Sequence, residues 1–308
     1  MTALDPELLR SDTAADTGSR RAGRRGRGLR AAWRVLIRRP ARLVGAAILL
    51  IFALMAIAGP WLYPEHLPID PENILAPPSP AHPLGTDFAG TDVVALLITG
   101  TRYVMVSALW ASLFTIVIGT GLGLVAGYRL SWPDTVLMKI TDFILTIPSF
   151  PLLVVLATLW DFSSAFSMGL VLGLLGWGGL ARAVRSQVLS LRTRGFVEAA
   201  RSLGLPLPNI VFRQLLPNVA PYVGMNMLLT FTGFVYAQAG LFFLGVVPFT
   251  SNNWGVMLNQ AVQNGALQTP TALAYLLAPL TAILLLTLGT VLLLDAVDEF
   301  FNPRLREA

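Results

Sequence analysis

The sequence predicts an all-α membrane protein with six transmembrane helices and both termini in the cytoplasm. Three observations lead there. Apolar residues make up 55% of the 308 and charged residues only 13%, about half the ~25% of an ordinary soluble domain. The apolar residues are gathered into six long blocks separated by short polar stretches. When those blocks are threaded from a cytoplasmic N-terminus, only Arg102 of the 22 basic residues falls outside, which is the asymmetry the positive-inside rule describes.

The elements follow in order. Residues 1–40 form a polar, Arg-rich tail. Within it Arg30, Arg34 and Arg38 recur every four residues, with Leu29, Trp33, Leu36 and Ile37 elsewhere on the same helix. That pattern suits an interfacial helix over 29–39 lying on anionic headgroups and ended by Pro40. The preceding residues, 1–28, read as a solvated basic tail.

The apolar blocks are Ala41–Leu62, Tyr103–Gly127, Val136–Trp160, Ala165–Ala181, Tyr222–Val247 and Ala272–Ala296. A helix needs about 20 residues to cross ~30 Å of hydrocarbon. Five blocks satisfy this, and Gly176, Trp177 and Gly178 extend the short fourth into the interface. The blocks are continuous rather than alternating, so they are helices, not barrel strands. The first is longer than a signal-peptide core and reads as a retained span.

The organisation is then a tail (1–40), a first span (41–62), an outside loop rich in Pro (63–102), a core of five spans (103–298) and a cytoplasmic end (299–308). Gly119, Gly123 and Gly127 in the second span, and Gly169 and Gly173 in the fourth, make faces on which helices can approach closely.

Several functions are excluded or disfavoured. Lys139 is the only lysine, so no G-x-x-x-x-G-K-[ST] phosphate loop exists and the chain cannot itself be a P-loop ATPase. There is no Cys, and the two histidines, His66 and His82, share one Pro-rich loop. Neither a metal nor a cofactor is expected, and nucleic acid is not an expected partner. The span centres carry no ionisable residue of the kind an ion-coupled carrier uses. Asp142, three residues after Lys139, reads as a paired interfacial charge. In the fifth span, Asn226, Thr230, Thr232, Tyr236 and Gln238 could line a solute path or bond neighbouring helices.

The long cytoplasmic segment between spans, Arg182–Pro221, carries the main signal. Val197–Leu203 reads as a short helix with Glu198 in its first turn and Gly204 as its left-handed cap. Pro206 and Pro208 stiffen the turn that follows. A second short helix, Asn209–Leu216, is expected to end before Pro217. Helix, turn and helix would form a docking knob at the membrane face.

Glu198-Ala199-Ala200, Gly204 and the stretch Gln214, Leu215, Leu216, Pro217 resemble the EAA loop of binding-protein-dependent ABC importers. Four other stretches resemble the dipeptide, oligopeptide and nickel permease group, most closely its C-type subunit. They are His82-Pro83-Leu84-Gly85-Thr86-Asp87 with Gly90-Thr91-Asp92, Arg38-Arg39-Pro40, Trp254-Gly255-Val256-Met257-Leu258 and Asn302-Pro303-Arg304. The resemblance runs from about residue 33 to the end. Thr91 stands where that group usually has Arg, and Gln214 where it usually has His.

The resemblance implies a type I importer permease fold and a transport subunit rather than an enzyme, in a multi-pass inner-membrane setting. It implies a heterodimer with a homologous permease subunit, two cytoplasmic ATPase subunits, and an extracytoplasmic binding protein that delivers a di- or oligopeptide. The EAA loop would be the coupling helix. Nickel or another small solute is the alternative cargo. A stand-alone secondary carrier and a basic membrane anchor for a partner complex are the alternative functions.

Overall fold

The computed structural model describes residues 36–37, 39–64, 67–248 and 252–301. Most of the interfacial helix expected over 29–39, the arginine-rich tail before it, and Asn302-Pro303-Arg304 lie outside the described residues.

Nine α-helices carry the described chain: α1 (Pro40–Leu62), α2 (Val93–Arg129), α3 (Trp132–Thr146), α4 (Ser149–Leu159), α5 (Ala165–Leu191), α6 (Gly195–Ser202), α7 (Leu207–Phe243), α8 (Trp254–Gln263) and α9 (Leu273–Phe301). Five of them, α1, α2, α5, α7 and α9, are long and apolar enough to cross a membrane. The pair α3–α4 qualifies together but bends by 83°. The architecture is thus that of an all-α membrane protein with five or six spans.

The third expected span is not the continuous helix Val136–Trp160. Pro148 disfavours helical backbone at the residue before it, and Ile147 is extended (φ −75°, ψ 125°). The helix therefore stops at Thr146 and restarts at Ser149 in a new direction.

The second span begins at Val93, ten residues before the apolar block at Tyr103 and inside the segment expected as loop. The Asp92 carboxylate accepts from the N–H groups of Val94 (2.7 Å) and Ala95 (3.0 Å), which places the helix start there. Thirty-seven residues make about 55 Å of helix, well beyond ~30 Å of hydrocarbon. The excess stands in a folded cap built from residues 67–92.

In that cap the Asp87 Oδ1 accepts from Ala89 N (2.9 Å) and Thr91 N (2.8 Å). The Thr86 hydroxyl accepts from Ala76 N (2.8 Å) and donates to the Asn73 carbonyl. His82 Nδ1 meets Asp92 Oδ2 at 2.8 Å. Gly90 takes φ +78°, and a Cβ there would come within 1.8 Å of the Asp70 carbonyl oxygen, so no other residue fits. Burial pushes the Asp87 carboxyl above the ordinary carboxylate range, while the N–H groups it accepts from pull the other way. Thr91, which stands where the group resembled in sequence usually has Arg, is buried inside this cap.

The glycine faces of α2 and α5 pack against each other. A Cβ on Gly123 would lie 2.6 Å from the Ala181 carbonyl oxygen, and one on Gly173 would lie 2.8 Å from that of Ala111. The two helices touch backbone to backbone, the geometry that small residues permit in lipid. The first and last long helices meet at Gly45 and Gly289, with a buried ion pair between Arg42 and Glu299. The long helix α5 runs on to Leu191 rather than ending near Ala181, so Arg182 and Arg185 are helical.

Candidate functional site

The short helix α6 forms because Val197 and Ala200, three residues apart, share one face and are buried, while Glu198 and Ala199 are exposed. Glu198 stands in the first turn, where a carboxylate complements the helix dipole. The end is a Schellman cap. Gly204 takes φ +67°. Its N–H donates to the Arg201 carbonyl (2.9 Å), and the Leu205 N–H donates to the Ala200 carbonyl (3.1 Å). Arg201 ties this helix to the end of α2: its guanidinium lies 4.8 Å over the Tyr128 ring, and its Nε donates to the Tyr128 hydroxyl (3.2 Å).

The second part of the knob differs from expectation. No short helix ends before Pro217. The segment Ile210–Leu215 is one wide π-turn, and the chain continues unbroken through Pro217 to Phe243. The wide turn is the physical reason. Leu216 N–H bonds back to the Val211 carbonyl, five residues earlier, which shifts the register just where Pro217 has no N–H to offer. The Asn218 side chain donates to the Gln214 carbonyl (2.6 Å). This second part of the knob is therefore the first turns of the long helix α7, not a separate piece.

Ile210, Val211 and Leu215 join Val197 and Ala200 in an apolar core with Leu124 of α2 and Leu180, Val184 and Val188 of α5. Gln214 and Leu216 are half-buried and Pro217 is exposed. Around Glu198, Ala199 and Gly204 the surface presents Phe196, Leu203 (77% exposed), Leu205 and Phe212 (63% exposed). These large apolar side chains stand exposed at the end of the bundle that carries the knob. The sequence reading missed these four. The signal was available: they are the bulky residues of a non-spanning segment that are not needed to bury α6.

The polar residues of the fifth span separate into two groups. Gln238 is 1% exposed. Its Nε2 donates to the Val104 carbonyl (3.1 Å), and its Oε1 accepts from Ser107 Oγ (2.6 Å), so it bonds α7 to α2. Asn226 and Thr230 lie one turn apart on α7, half-buried. Thr230 donates to the Asn226 carbonyl (2.7 Å), and Asn226 to the Tyr222 carbonyl (3.0 Å). Tyr236 is exposed, its hydroxyl 2.7 Å from Thr287 Oγ1 of α9. Thr232 donates to the Leu228 carbonyl (3.1 Å). Near Tyr236, Gly233 faces open space.

Comparison with known proteins gives the family. Residues 119–307 match the inner membrane component of binding-protein-dependent transport systems. The chain belongs to that family. Residues 29–78 further match the N-terminal transmembrane domain of oligopeptide transport permease C. This permease is 32% identical to a dipeptide transport system permease protein of Bacillus subtilis, over 89% of this chain and 85% of that one. It is 29% identical to a glutathione transport system permease protein of Pectobacterium atrosepticum, over 92% and 94% of the two chains. It is 28% identical to an oligopeptide transport system permease protein of Lactococcus lactis, over 72% and 74%. The chain is accordingly a multi-pass inner-membrane transport component, and its family implies ATPase and solute-binding partners.

Proposed function

We propose that this permease is one of two homologous subunits that form the pathway of an ATP-driven importer for di- or oligopeptides. Two ATPase subunits would bind on the cytoplasmic side, and an extracytoplasmic binding protein would deliver the peptide to the cap. The arginine asymmetry supports cytoplasmic termini, which puts residues 67–92 outside and the α6–α7 knob inside. The peptide class is supported by relatives whose names specify dipeptide, oligopeptide and glutathione transport. The chain has no phosphate-binding loop, so in this reading ATP hydrolysis belongs to the partners and this subunit is a transport component rather than an enzyme.

The observation that carries the reading is the knob. Glu198, Ala199, Ala200 and Gly204, with Gln214, Leu216 and Pro217, shape a capped surface whose core is continuous with α2, α5 and α7. Closure of the ATPases would push on Phe196, Leu203, Leu205 and Phe212, and the push would enter the long helices directly. That is a coupling free energy between the nucleotide and solute sites. Asn226, Thr230 and Tyr236, all less buried than Gln238, are the residues of the solute path in this reading, and Gln238 is a helix lock beside it.

The test is reconstitution in vesicles. With a sister permease, ATPases and binding protein, ATP should drive uptake of a labelled dipeptide. This chain alone should show neither ATP hydrolysis nor uptake. Uptake by the chain alone under a proton gradient would refute the proposal.

A further inference from the structure

The bent third span is fastened to α5 by charges, in a protein with few of them. Asp134 of α3 is buried and receives both Nε (2.6 Å) and Nη2 (2.7 Å) of Arg185. Asp142, two turns further along, accepts from Arg182 Nη2 (2.6 Å) at an exposed position. Arg182 and Arg185 share one face of α5 with Gly178, where a Cβ would come within 3.2 Å of Leu145 and 3.5 Å of Thr141. Three successive points along one face of α5 thus hold α3.

On a neighbouring face of α5, Val184 and Val188 hold the knob core. The glycine contacts join α5 to α2 at backbone distance, so knob, α2 and α5 form one close-packed body. Beyond Pro148 the chain turns by 83° into α4, whose Phe150 packs on Gly240 of α7. The joint between α3 and α4 is a break in backbone hydrogen bonding, where a hinge can sit.

Resting on the coupling reading above, we infer that the Asp134–Arg185 and Asp142–Arg182 pairs are the linkage by which displacement of the knob reaches the bent span. An apolar contact lets helices slide. A bidentate Arg–carboxylate pair fixes direction and distance. A buried pair such as Asp134–Arg185 adds little stability over an apolar contact of the same shape, and an exposed one such as Asp142–Arg182 adds little at all, so their presence here points to geometry rather than stability. Asp134 and Arg185 are positioning residues: α3 follows α5, and the bend converts that movement into a change at α4.

The experiment uses the assembled transporter in vesicles, with ATP hydrolysis and labelled dipeptide uptake measured on the same sample. Asp134→Asn and Arg185→Gln should leave ATPase docking and hydrolysis in place. They should lower peptide carried per ATP about tenfold, within the roughly 5–150-fold span of coupling energies. The exchange Asp134→Arg with Arg185→Asp should restore most of that ratio, which ties the loss to the pair rather than to either side chain alone. An unchanged ratio in both single variants would overturn the inference. Should Asp134→Asn fail to insert, the exposed pair decides: Asp142→Asn with Arg182→Gln should lower the ratio in the same direction, and an unchanged ratio there overturns it. Wild-type uptake that persists without the ATPases would refute the coupling reading itself, independently of any ion-pair variant.

Discussion

Gly204→Val isolates backbone conformation in the knob. A Cβ at Gly204 would meet nothing within 4 Å, so the substitution brings no clash. Its cost is the left-handed backbone at φ +67°, about 1–2 kcal/mol for an L-residue, and more for a β-branched one. Escaping that conformation would break the two capping bonds from Gly204 and Leu205, each worth about 0.5–1.5 kcal/mol. A penalty of ~2 kcal/mol shifts the balance between native and rearranged knob about thirtyfold. The spans, which share little with this turn, should still insert. The assay is co-purification of the ATPase with the variant permease, together with peptide uptake at matched membrane levels. Gly204→Val should lose both, Gly204→Ala should be intermediate, and Gly204→Asn should be mildest because Asn visits the left-handed region. Normal docking and uptake in Gly204→Val would refute the role of the loop. Equal loss in all three would show that a partner surface at this position, not the backbone, was the constraint.

Further predictions follow from other parts of the structure. Glu198→Ala should weaken docking less than Gly204→Val, since it removes an exposed first-turn carboxylate worth about 0.3–1 kcal/mol to the helix dipole; co-purification at two salt concentrations measures it. Gln238→Leu should remove the two bonds that tie α7 to α2, each worth about 0.5–1.5 kcal/mol, while the Ser107 hydroxyl keeps the Tyr103 and Val104 carbonyls as partners, lowering thermal stability in detergent without changing which peptides compete for uptake; a changed competition pattern would place Gln238 in the path. Asp87 binds protons more tightly folded than unfolded, where its value is 3.8, so its contribution to cap stability should fall as pH rises from 3.8 through the raised folded value. Asp87→Asn keeps the Oδ1 acceptor and should remove that fall, read as protease cleavage of the 67–92 segment against pH. Tags at Pro77 and Asn264 should react with impermeant reagents on intact cells, and a tag at Arg192 should not; a protected Pro77 tag would refute the topology.

The sequence by itself determined the fold class, the approximate number and place of the spans, and the helix-then-glycine core of the knob. These depend on local chemistry: apolar run length, the missing N–H of Pro, the left-handed backbone open to Gly. The third span reads as continuous because hydropathy runs straight across Pro148, where the structure breaks the helix. Tertiary structure decided what depends on partners distant in sequence. Asp92 starts α2 early because the cap shelters that turn. Gln238 is buried because its side of α7 meets Val104 and Ser107, more than a hundred positions away. Asp134 and Asp142 look alike in the sequence, yet one is buried under a bidentate arginine and the other stands in solvent. Pro217 does not end a helix because a π-turn absorbs its missing bond, and the packing of Ile210, Val211 and Leu215 against α2 and α5 holds that turn in place. Hydrophobic periodicity records which residues prefer to leave water, but not which helix face each will find there.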